Sequence, residues 1–178
     1  FFDTDRFLIS DLRHTLKAKA VLCPGLRMRF ENEATGESEE WFYTGALTEY
    51  LLEQLGDAER MPKEPLAGKM GSTHDAVEWA LAWAPGLPAA VAESYVNLIP
   101  TADGGTHVNG LRSGTAAAVR EFCEFRNLLP RGVKLTPEDV WDGVRYVLSI
   151  KIREPQFAGQ TKERLASRDA AQLVESFA

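Results

Sequence analysis

Two cysteines in 178 residues, Cys23 and Cys123, are too few for a disulfide framework, and neither stands in a C-x-x-C or similar metal-ligand spacing. That scarcity points to a reducing compartment, the cytoplasm. The three histidines, His14, His74 and His107, are scattered, so no zinc site is expected. Charges interrupt every apolar stretch well before the roughly 18 residues that a membrane-spanning helix needs. The chain opens Phe1-Phe2-Asp3-Thr4, with neither an initiator methionine nor a basic-then-apolar leader, and is read as a piece from within a longer protein. It also lacks a G-x-S-x-G elbow, a Walker-type glycine loop and a paired-carboxylate motif. Acid–base catalysis confined to this chain therefore has no evident residues.

What is present is an ordinary globular composition, 44% hydrophobic and 26% charged, and a length that suits one domain with at most a small appendage. The net charge of −6 argues against a free-standing DNA-binding module. The charge is unevenly placed. Leu111 to Arg168 holds eleven Lys/Arg against seven Asp/Glu, and the remainder holds nine against nineteen. Such a distribution permits a phosphate-facing side on an acidic body.

Periodicity predicts a helix over residues 5–20, from Leu8, Leu12, Leu16 and Ala20, ended by Pro24-Gly25. Leu26 to Phe30 alternates as a half-buried strand, and Asn32, Thr35 and Gly36 form a turn into a second strand around 40–43. A short helix over 46–55 follows, stopped by Gly56. Met61 to Gly71, with two prolines and two glycines, is expected to be irregular or edge-like. Strands are expected over 76–83 and 91–99, and the Pro85-Gly86-Leu87-Pro88 turn between them suits a hairpin. Leu111, Thr115, Ala118, Phe122, Phe125 and Leu129 make a continuous seam for a helix over 109–129. Thr136 caps a short helix with Pro137 in its first turn. Val144, Tyr146, Leu148, Ile150 and Ile152 alternate as the clearest strand, and a further helix starts near Arg164. Sheet and helix segregate into an α/β (α+β) two-layer sandwich of one main domain over 1–163, with 164–178 beginning a connecting helix.

Two loops stand out. Thr101-Ala102-Asp103-Gly104-Gly105-Thr106-His107 joins a strand to the long helix, and its paired glycines allow positive φ and close backbone approach. The plain reading is a tight connection in which His107 packs or caps. Pro155 to Lys162 follows the clearest strand. There Phe157 can anchor the loop and Gly159 can turn it, leaving Gln160 and Lys162 to reach a ligand. An ammonium beside a neutral amide suits the terminal phosphate of a nucleotide. A solvated surface lysine is the plain alternative.

At these loops the chain resembles the ATPase subunits of type IIA DNA topoisomerases. The likeness rests on Ser94 to Pro100, Gly104-Gly105-Thr106-His107, and Pro155-Gln156-Phe157 with Gln160-Thr161-Lys162, in that order. Arg120 to Asn127 and Pro130 to Leu135 are more similar to the topoisomerase IV branch than to gyrase. The resemblance implies a transducer domain folded like the second domain of ribosomal protein S5, with a left-handed β-α-β crossover. It implies that Lys162 acts catalytically and, with Gln160, binds the γ-phosphate of ATP held with Mg²⁺ by an N-terminal GHKL-type ATPase domain. The other implied partners are the A subunit of topoisomerase IV, a second copy of the subunit, and double-stranded DNA in a chromosome-associated, cytoplasmic setting. Arg112, Arg131 and Lys134 are candidates to line the DNA cavity. By itself the chain is expected to bind no nucleotide appreciably and to turn none over. A non-catalytic nucleic-acid or protein binding module of the same fold is the alternative.

Overall fold

The computed structural model describes residues 8–45, 47–72, 75–87 and 91–178. The expected helix positions before Leu8, and also Ala46, His74 and Pro88, lie outside the described residues. The chain divides into two compact units, residues 1–46 and 47–178.

In the first unit, helix α1 (Ile9–Leu22) packs on an antiparallel hairpin of β1 (Arg27–Asn32) and β2 (Glu37–Phe42). Arg13 ties helix to hairpin. Its guanidinium reaches Glu37 at 2.9 Å and lies 5.3 Å from the centroid of Phe30.

The second unit holds α2 (Leu47–Leu55), β3 (Met61–Gly71), β4 (Ala76–Trp83), β5 (Ala92–Val96), β6 (Ile99–Pro100), α3 (Thr106–Phe125), α4 (Pro137–Trp141), β7 (Val144–Lys151) and α5 (Arg168–Glu175). Its five strands lie in the order β3-β4-β7-β5-β6. β7 is antiparallel to β4 but parallel to β5, so the chain from β5 to β7 makes a β-α-β crossover carrying α3. Val77, Trp79 and Leu81 of β4, Tyr146, Leu148 and Ile150 of β7, and Val96 of β5 build one core with Leu111 of α3 and Ala170 and Val174 of α5. Each fully buried Leu or Ile there contributes about 1.5–3 kcal/mol by leaving water. On the opposite face, Tyr50 of α2 donates to the Glu93 carboxylate of β5 at 3.0 Å, and Tyr95 donates to it at 2.5 Å. Burial, and next the Glu93 charge, push the Tyr95 phenol above its ordinary range, so it stays a donor.

Several expectations need correction. Of the two readings of Met61–Gly71 the edge-like one holds and the irregular one does not: it is the sheet's long edge strand, with a register break between Met61 and Leu66. An edge strand pairs on one side only and so tolerates Pro62 and Pro65. β4 and β5 do not form a hairpin, because β7 lies between them. The strand expected to reach Ile99 breaks after Val96, where Asn97 and Leu98 take left-handed φ of 49° and 68° and turn the chain into β6. The long helix runs from Thr106 to Phe125. Only the first part of its seam is buried: Leu111 and Thr115 are covered, whereas Phe122 and Phe125 are 56% and 81% exposed. The last helix starts at Arg168 rather than near Arg164, because Leu165 is drawn into the core as part of the preceding loop.

Candidate functional site

The two loops singled out in the sequence are joined in space. After β7, residues 156–166 fold back as a narrow hairpin in which Ala166 N–H donates to Gln156 O at 2.7 Å and Ala158 N–H donates to Arg164 O at 2.9 Å. Its tip turns at Gly159 to Lys162, closed by the Lys162 N–H to Gly159 O bond of 3.2 Å. Gln160 and Lys162 are both exposed there. Lys162 holds φ +60°, a left-handed value that non-glycine residues adopt only when their surroundings impose it. Its ammonium lies 5.9 Å from the centroid of Phe157, whose ring packs against the core. Thr161 Oγ1 donates to Glu163 Oε2 at 3.1 Å, which ties the tip to its outgoing flank.

That flank is held by the Gly104-Gly105 loop. Asp103 N–H donates to Glu163 O at 2.9 Å, Leu165 N–H to Gly104 O at 3.0 Å, and Thr106 N–H to Leu165 O at 3.1 Å. The last bond also satisfies one of the amides that the start of α3 leaves without a helical partner. Gly105, at φ +133°, lies so close that a Cβ there would be 2.3 Å from Leu165 O. Gly105 is thus explained by the approach of one main chain to another, and Gly104 by its left-handed φ of +62°.

The shape of that loop is fixed by a buried polar group that sequence reasoning missed. Thr101 Oγ1 donates to Ser94 O at 2.9 Å, lies 2.7 Å from Ser94 Oγ, and lies 3.1 Å from His107 Nε2. A Ser on the buried side of β5, in line with Val96, was the available signal. His107 is fully buried, and burial lowers its pKa to about 4, so it is neutral near pH 7. The plain reading of His107 as a packing residue therefore describes its structural role. Asn97 completes the frame: its side chain accepts from Ile152 N–H at 3.0 Å and donates to Ile152 O at 2.9 Å, where β7 gives way to the hairpin.

The other sequence candidates lie elsewhere. Arg112, on α3, is paired with Glu138 at 2.8 Å, and Arg131 and Lys134 are exposed in the stretch between α3 and α4. None of the three adjoins the Lys162 tip in sequence. A cleft of about 940 Å³, lined by Asp75, Arg153, Gln156, Ser167, Arg168 and Gln172 among others, opens beside the base of the hairpin and does not include Gln160 or Lys162. Among the described residues no three His, Cys, Asp or Glu side chains converge as a metal site, and no helix is long and apolar enough to cross a membrane. The tip thus carries an exposed cation, Lys162, beside an exposed amide, Gln160.

Residues 46–178 match the DNA gyrase B family. The chain belongs to that family. It is 59% identical to the B subunit of DNA topoisomerase 4 from Pseudomonas aeruginosa, over 98% of this chain and 28% of that protein. Among solved structures it is similar to the topoisomerase IV ATP-binding domain of Francisella tularensis, at 34% identity and a TM-score of 0.81, covering 99% of this chain and 47% of that one. The 43K ATPase domain of Thermus thermophilus gyrase B gives 26% identity and a TM-score of 0.80, with the same two coverages. The chain thus spans little more than a quarter of the length of its topoisomerase IV relative. The mixed α/β fold expected from the sequence is the fold of these gyrase and topoisomerase IV domains.

Proposed function

We propose that this chain is the transducer domain of an ATP-hydrolysing type IIA DNA topoisomerase of the topoisomerase IV kind. In this reading Lys162 and Gln160 contact the γ-phosphate of ATP bound by a preceding GHKL-type ATPase domain. The observation that carries it is the projection of both side chains from a tip whose flank is bonded to the main chain of the 101–107 loop. Such a tip presents a cation at a defined place with little reorganisation, which is what stabilising charge on a transferring phosphoryl group requires. Gln160, a neutral donor two residues away, helps orient the same phosphate.

The tip residues fit a phosphate contact, and among the described residues no three His, Cys, Asp or Glu side chains converge as a metal site; in this reading magnesium is held with the nucleotide by the ATPase domain. Loss of the γ-phosphate removes the tip's partner, and the domain can then turn against its ATPase neighbour. That motion would serve passage of a DNA duplex, in an assembly with a second copy of the subunit and the A subunits, in the bacterial cytoplasm. Arg131 and Lys134 are the exposed candidates for DNA contact, while Arg112 would have to leave Glu138 to join them.

In the full-length protein, Lys162→Ala should lower ATP turnover about 10²- to 10³-fold, the usual effect of removing one preorganised charge-stabilising group. Turnover near the wild-type rate would remove Lys162 from the mechanism. The isolated chain should hydrolyse no ATP above background.

A further inference from the structure

The distance from the main-chain clasp to Lys162 is a single residue. The carbonyl that Asp103 N–H holds belongs to Glu163, the next residue after Lys162, and Leu165 is gripped on both its N–H and its C=O by Gly104 and Thr106. Leu165 is also 1% exposed and part of the central core, so the hairpin cannot slide without unpacking it. The tip has few other constraints: Gln160, Thr161, Lys162 and Glu163 are all exposed. We infer that Gly105 and the Ser94–Thr101–His107 group are positioning residues for the γ-phosphate contact, acting on it solely by setting where the clasp holds the hairpin and hence where Lys162 points. This inference rests on the phosphate reading of Lys162.

The chemistry of each residue fits that role. Gly105 admits Leu165 O into space where any other residue carries a Cβ. The Thr101 hydroxyl meets both Ser94 of β5 and His107 of α3, and so fixes the loop's start to that strand and to its own end. Gly104 N–H, in turn, donates to Thr101 O at 2.9 Å, so a shift at Thr101 passes directly to the residues that grip Leu165. None of these side chains reaches the tip itself. Their effect on turnover must therefore shrink to what Gln160 still carries when Lys162 is absent, whereas general damage to the fold would not depend on Lys162.

The test is a double-mutant cycle in the full-length protein assembled with its A subunit and DNA, reading kcat and KM for ATP. Gly105→Ala should lower kcat about 10- to 100-fold, as displacement of a charge-stabilising group by roughly 1 Å does, with KM changed less than about 3-fold. Adding Gly105→Ala to Lys162→Ala should lower kcat by less than about 2-fold further, because the two act mainly through one group, with only the Gln160 contact left to displace. A double variant that falls by the product of the two single effects overturns the inference and leaves the Lys162 reading standing. Wild-type turnover in Lys162→Ala alone overturns both. Should Gly105→Ala prove insoluble, Thr101→Val and Thr101→Ser decide the matter. Thr101→Val should reproduce the non-additive loss, and Thr101→Ser, which keeps the hydroxyl, should restore at least about half of wild-type kcat. Equal losses in the two Thr101 variants, or losses additive with Lys162→Ala, refute it.

Discussion

Replacing a glycine inside a helix with alanine ordinarily stabilises a protein, by about 1 kcal/mol. At Gly110 the sign should reverse. Gly110 lies on the face of α3 that meets α5, and a Cβ built there would lie 2.3 Å from Ala171 O and 3.0 Å from its carbonyl carbon. Carbon and oxygen need more than about 3 Å, so the two helix backbones would have to separate by about 1 Å. The obstructing atoms are main chain and cannot rotate aside. Overpacking of this kind costs about 1–3 kcal/mol, and an immovable partner places the cost near the top of that range. Set against the propensity gain, the net expectation is a destabilisation of about 2 kcal/mol. For a protein of this size that lowers Tm by about 4–8 °C. The strain would spread into Leu111, Ala170 and Val174, which share the interface with the core. Urea unfolding of the chain followed by tryptophan fluorescence measures it. Ser113→Ala, on an exposed position of the same helix, is the control and should be neutral or stabilising by up to about 0.5 kcal/mol. If Gly110→Ala unfolds at the same or a higher urea concentration than wild type, the close approach of α3 and α5 is refuted.

Two further outcomes follow from burial. His107 has a pKa of about 4 when folded against 6.5 when exposed, so the unfolded state binds the extra proton first as pH falls. Its stabilising contribution is present above pH 6.5 and is lost as pH drops towards 4, by up to about 3 kcal/mol. Stability of His107→Asn, compared with wild type at each pH from about 7 to about 4, should therefore show a shallower fall; parallel curves would contradict the burial. Leu111→Ala, at a fully buried position, should cost about 3–5 kcal/mol, whereas Phe125→Ser, at a position 81% exposed, should cost under about 0.5 kcal/mol in the same urea experiment. Comparable losses would return Phe125 to the core.

The Phe125 case illustrates what a linear pattern can report. The seam from Leu111 to Leu129 identified a helix and its apolar face, but periodicity says nothing about where the covering element stops. Among the described residues, α5 meets α3 at Gly110 and Gly114, and Phe122 and Phe125 remain exposed. Turn chemistry has the same limit. Pro85-Gly86 correctly marks a turn, yet β4 pairs with β7, which begins only at Val144. Where the partner is local, the reading is accurate. Thr136 caps α4 with the reciprocal Asp139 bonds, and Val144, Tyr146, Leu148 and Ile150 face the core in strict alternation. Both loops of the candidate site were legible from Gly104-Gly105 and from Gln160-Thr161-Lys162. Their union was not, because hydrogen bonds between main-chain atoms leave no residue-type signature, and Leu165, at the centre of it, looks like any other leucine.

The grip on Leu165 has a bearing on how this protein can vary. Amides and carbonyls are common to nearly all residues, so the flanks of the hairpin can change side chains at 103 and 164, proline at 103 apart, without altering the aim of the tip. Surface charge and recognition can drift there in successive generations of sequence. Position 105 is denied that latitude, since an added carbon has nowhere to go.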